Sequence, residues 1–109
     1  MDLVNEIKQL TAELSSSIKL LRQNGIRLAE AERDYKLTLR TEALKLKDGK
    51  MPVTLINQII YGVPEVNRLR FERDVAQTTY DANIEHINAT KLKIRIFEAQ
   101  LQREWGRND

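Results

Sequence analysis

Few residues in this chain are of types and at spacings that could do chemistry. His86 is the single histidine. A Ser/His/Asp triad or a zinc site needs an imidazole set beside specific partners. On a helix its neighbours one turn away are Ala82 and Thr90, and Glu85 is merely adjacent. That spacing places His86 on a solvent or interface surface. The carboxylates are interleaved with basic residues, as in Glu30-Ala31-Glu32-Arg33-Asp34 and Glu72-Arg73-Asp74, the pattern of a solvated helix face with weak i,i+4 pairs. No two of them stand apart as a general acid and base. The Glu-x-x-His pattern of four-helix carboxylate metal sites is absent, as are a phosphate-binding glycine loop and a Gly-x-Ser-x-Gly elbow. There is no cysteine, hence no disulfide framework, thiolate nucleophile or cysteine-based zinc site. The expectation is a protein that is not an enzyme, with no cofactor and no metal.

A binding chemistry has more to stand on. Net charge is only +2, from 18 basic and 16 acidic residues, but its distribution is uneven. Residues 36–73 carry eight basic side chains against four acidic ones, whereas the segments on either side are each at −1. Lys45, Lys47, Lys50, Arg68 and Arg70 lie in this stretch with Tyr61 and Phe71 close by. Such a cluster would neutralise phosphates, and an aromatic ring could stack on an unpaired base. The short apolar segment Leu55–Tyr61 has no polar row to read base edges, which argues against a helix-turn-helix recognition helix. Leu55, Ile56, Ile59 and Ile60 are expected instead to cap the end of a hydrophobic core. Lys91-Leu92-Lys93-Ile94-Arg95-Ile96 alternates as a strand would, but its neighbours keep helical spacing and a helix is expected there.

These groups are positioned by two long arms on either side of residues 48–64, the stretch that holds both prolines. The first arm, about residues 2–47, has Leu3, Ile7, Leu10, Leu14, Ile18, Leu21, Leu28, Ala31, Tyr35, Leu39 and Leu46 at helical spacing. Asn24-Gly25 is a soft spot inside it, costing about 1 kcal/mol against alanine, and a break there is the alternative reading. Between the arms a short helix over about 54–61 is expected, with Thr54 as N-cap and Gly62 as a left-handed C-cap. Pro64 then suits the first turn of the next helix. The second arm, about 64–105, has an apolar stripe through Val66, Leu69, Ala76, Tyr80, Ile84, Ile87, Ile94, Phe97, Leu101 and Trp105.

A second stripe on that arm runs through Phe71, Val75, Ala82, Ala89, Leu92, Ile96 and Ala99. One partner arm cannot cover both. The spacing therefore predicts a homo-oligomer, a dimer or larger bundle, with Phe71, Val75, Ala82, Ala89, Leu92 and Ile96 at its interface. The alternative is that Gly25 lets the first arm bend and cover the second stripe within one chain.

The fold class expected is all-α: a long antiparallel helical hairpin, coiled-coil-like, with a short helix at the turn, forming one domain over residues 1–109. No apolar run approaches the ~20 residues of a membrane span. The start Met1-Asp2-Leu3-Val4-Asn5-Glu6 is acidic and unlike a signal peptide, so a cytoplasmic location is expected.

Four segments, Ala29–Lys36, Ile59–Gly62, Leu69–Ala76 and Arg103–Gly106, resemble a group of small helical proteins of bacteriophages and prophages of Gram-positive bacteria, over nearly the whole chain. The resemblance implies a phage accessory protein inside the bacterial host cell. It would act by binding a protein of the host, of its defences, or of phage replication or recombination. The alternative is a DNA-binding accessory of recombination or replication. A third reading is an oligomer that sequesters a small molecule between chains.

Overall fold

The computed structural model describes residues 2–106. Helix α1 spans Leu3–Asp48 and α2 spans Val53–Ile59, which a 3-10 turn continues over Ile60–Gly62. Helix α3 spans Pro64–Gly106. No strand occurs among the described residues. This is the all-α hairpin that the spacing predicts. Its residues pack as two units. A turn unit comprises Asn24–Tyr80, and a terminal unit joins the chain up to Gln23 with the chain from Asp81 onward.

Helix α1 begins at an aspartate. Asp2 Oδ1 accepts from the N–H groups of Val4 (3.1 Å) and Asn5 (3.2 Å), two donors the helix itself leaves unpaired. The helix runs unbroken past Asn24-Gly25, so the expected alternative of a break there is not what the chain does. A Cβ on Gly25 would lie 3.4 Å from Tyr80 Cε2. The Tyr80 ring therefore packs against the bare backbone, which offsets part of the glycine's low helix propensity.

The end of α1 follows the Schellman pattern. Lys50 N–H donates to the Lys47 carbonyl (2.9 Å) and Met51 N–H to the Leu46 carbonyl (3.2 Å). Those two bonds require a left-handed residue between them, and it is Lys50, at φ 64°, not the neighbouring Gly49. A lysine in this conformation carries the Cβ clash that glycine avoids. Lys50→Gly is therefore expected to raise stability by about 0.5–1 kcal/mol, less whatever the freer unfolded chain returns. A urea unfolding midpoint no higher than that of the unaltered protein would refute this.

Two expected caps differ from the structure. Thr54 is the second residue of α2, and the cap position is Pro52, in extended backbone with no side-chain cap bond. Its carbonyl instead accepts from Leu55 and Ile56 N–H, each at 3.0 Å. Proline holds φ near the value a helix entry needs, so the helix starts directly after it. Gly62 is not left-handed either, and no described glycine has positive φ. The chain leaves the 3-10 turn through Val63, in extended backbone at φ −62° and ψ 124°. The residue before a proline is pushed out of the helical region, so Pro64 ends this turn and opens α3.

The core of the turn unit is Tyr35, Ile56, Ile60, Val66 and Leu69, with Leu39, Ala43, Leu46, Met51 and Val63 packed around it. Of the four residues expected to cap it, only Ile56 and Ile60 are buried; Leu55 and Ile59 are 41% and 38% exposed. A short helix offers one side to the arms, and residues four apart share that side. Arg73 lies over the Tyr35 ring, its guanidinium carbon 4.7 Å from the ring centroid.

The terminal unit is held by Leu3 and Ile87 together with buried polar groups, Ser17, Asn83 and Thr90. Asn83 Nδ2 donates to the Ser17 carbonyl (3.1 Å), and Thr90 Oγ1 donates to the His86 carbonyl (2.8 Å). Ile18, expected on the packed stripe, is half-exposed because Ser17 takes the inward position. The small serine lets the Asn83 amide reach the α1 backbone. Trp105, also expected on the packed stripe, is 63% exposed. It lies 22 residues beyond Asn83, whereas α1 extends only 14 residues back from Ser17 to Leu3. With α1 and α3 antiparallel in this unit, nothing on α1 reaches its level.

Candidate interaction surface

The basic cluster expected to bind nucleic acid lies within the turn unit, but most of it is already engaged. Arg68 is paired with Glu65 and, at 2.6 Å, with Glu72. Lys45 Nζ lies 3.1 Å from Glu42 Oε1. Arg70 sits over the Tyr61 ring, 5.0 Å from its centroid. Lys47 and Lys50 are exposed. The hydrogen bond from Arg68 holds the Glu65 carboxyl below the usual glutamate range, and the same bond raises the Arg68 guanidinium. Whatever this exposed pair contributes to stability is present at neutral pH and is lost as pH falls through the lowered Glu65 value. Of the two rings expected to stack on bases, Tyr61 already faces a guanidinium, and Phe71 points elsewhere, outward from α3.

His86 has a partner that local spacing does not reveal. Its Nε2 lies 3.1 Å from Glu13 Oε1, across from α3 on α1, and both side chains are half-exposed. Among the described residues no group of three or more histidine, aspartate or glutamate side chains is placed to hold a metal ion. No helix among them is long and apolar enough to cross a membrane.

The most distinctive surface is the outward face of α3. In the turn unit Phe71 is 68% exposed and Val75 49%. In the terminal unit Ala82, Ala89, Leu92, Ile96 and Ala99 are all exposed. The stripe that packs inward, including Val66, Leu69, Ala76 and Ile87, lies on the other side of the same helix. The alternative in which α1 bends at Gly25 to cover the second stripe is not adopted. Instead those side chains stay exposed on the outward side of α3 within each unit.

Beside Phe71, within the turn unit, an open groove of about 390 Å³ runs between α1 and α3. Phe71, Val75, Ala31 and Ala76 supply its apolar lining, and Glu30, Asp34 and Glu72 outnumber Arg27 around it. Arginines do not converge there, as a pocket for an anionic small molecule would require. The groove joins residues more than forty positions apart, so the sequence carries no local signal for it. Comparison with protein-family models, with curated proteins and with solved structures finds no match.

Proposed function

We propose that this chain is a non-enzymatic interaction protein that binds a protein partner through the outward apolar face of α3. The observation that carries the reading is the exposure of Phe71, Val75, Leu92 and Ile96 on the side of α3 opposite the packed stripe. Exposed apolar side chains gathered on one helix side mark a binding surface, since covering them removes their area from water at roughly 25 cal/mol per Å². The resemblance of Ala29–Lys36 and Leu69–Ala76 to phage proteins supports placing it among phage accessory proteins in the host cytoplasm. DNA binding is the weaker reading, because Arg68, Lys45 and Arg70 already have partners in the turn unit.

The test is a photo-crosslinking amino acid placed at Phe71 or Leu92 in the full chain, with Lys8 and Arg40 as exposed control positions. Protein adducts are expected at the first two positions and not at the controls. Adducts at all four positions, or at none, would overturn the reading. DNA retention that falls steeply with salt, and disappears when Lys45, Lys47, Lys50, Arg68 and Arg70 are changed to glutamate, would replace it with the nucleic-acid one.

A further inference from the structure

The outward face of α3 repeats every seven residues. Val75, Ala82, Ala89 and Ile96 form one series, and Phe71, Thr78, Glu85, Leu92 and Ala99 form the other, over four heptads. All nine side chains are exposed. Alternating steps of three and four residues are the pattern of a coiled-coil seam, in which each side chain enters a hole on a facing helix. The repeat is long enough to support one.

The charges beside the seam identify the facing helix. Glu72 and Asp74 flank its first part, and Lys93 and Arg95 flank its last. A second copy of α3 laid parallel would give none of these charges an opposite partner. Laid antiparallel, with Phe71 against Ile96 of the second copy and Val75 against Leu92 of the second copy, it brings Glu72 opposite Lys93 and Asp74 opposite Arg95. The two-fold axis repeats both pairs.

The groove in the turn unit supplies a separate observation. Its excess of carboxylates around Phe71 and Val75 suits an occupant that is apolar and basic, and the Lys91–Ile96 segment of a second copy is both. Arg68 and Arg73, which contact Glu72 and Asp74, leave acceptor sites on those carboxylates, since each offers about four lone-pair sites. Thr78, Ala82 and Ala89 at the centre are small enough for close approach. We infer that two copies of this chain pair antiparallel through the Phe71–Ala99 face of α3, with Glu72 and Asp74 of each meeting Lys93 and Arg95 of the other. The inference rests on the interaction reading above and names its partner.

Sedimentation equilibrium of the full chain tests it, with helical circular dichroism confirming that each variant is folded. The unaltered protein is expected to be dimeric in the micromolar range. The variant Lys93→Glu with Arg95→Glu, and separately Glu72→Lys with Asp74→Lys, are each expected to be monomeric there, because the two ends of the seam then carry one sign. An equimolar mixture of the two is expected to be dimeric, which a misfolded variant could not give. Glu85, the single charge within the seam, lies next to the two-fold axis, and Glu85→Leu is expected to tighten the dimer about tenfold or more. A monomeric unaltered protein, variants that dimerise alone, or a mixture that stays monomeric overturns the inference. If crosslinks at Phe71 or Leu92 then join this chain to a different protein, the interaction reading stands without it; if they form no protein adduct, both fall.

Discussion

Tyr35→Ala is expected to lower the unfolding free energy by about 3–5 kcal/mol, the usual range for removing a large buried aromatic side chain. A domain of this size has roughly 5–15 kcal/mol in all, so urea should unfold the variant at a much lower midpoint. Tyr35 is buried at the centre of the turn unit, beside Ile56, Ile60, Val66 and Leu69, so its removal opens a cavity that four neighbours line. Its ring also carries Arg73 on one face. Tyr35→Phe keeps the ring and the cation contact and should cost little. Arg73→Gln removes the cation over the ring together with its ion pair to Asp74, and should cost about 0.5–1.5 kcal/mol. If alanine and phenylalanine at position 35 prove equally harmful, the packing account of this residue is wrong.

The second large effect is expected in the short helix between the arms. Ile56→Ala and Ile60→Ala should each cost about 2–4 kcal/mol, because both side chains are buried against α1 and α3. Leu55→Ala and Ile59→Ala, at the neighbouring but outward positions, should cost well under about 1 kcal/mol. The four variants form a single urea series, and the pattern expected is alternation: small, large, small, large. Four similar losses would mean that α2 is enclosed rather than docked on one side.

That series also shows where the sequence stops being legible. The apolar run Leu55-Ile56 and Ile59-Ile60 announces a buried helix, but four residues in two adjacent pairs leave the docking side open by symmetry. Only the surrounding arms decide it. The caps differ from expectation for a related reason. Thr54 and Gly62 are good local choices, yet Pro52 and Pro64 fix the backbone on either side and override them, and Lys50 rather than Gly49 takes the left-handed position that Met51 and Leu46 impose. The long-range elements were legible because their signal is repeated many times: both arms, the inward stripe of α3 and its outward counterpart follow from periodicity alone. At Ser17 and Ile18 the same periodicity allows either residue inward, and the choice rests on Asn83, far away in sequence. The pairing of His86 with Glu13 and the groove beside Phe71 have no local signature at all, since both depend on residues brought together from opposite arms.

Asn83 has a consequence for motion as well as for stability. Two long helices that touch mainly through aliphatic side chains can slide along one another, because ridges that have left one set of grooves find similar grooves a turn further on, about 5.4 Å away. In the terminal unit that slide would carry the Asn83 amide away from the Ser17 carbonyl, its acceptor at 3.1 Å, and break that hydrogen bond at a cost of about 1 kcal/mol. The amide thus acts as a detent, setting one rest position on a track that the aliphatic contacts alone would leave smooth.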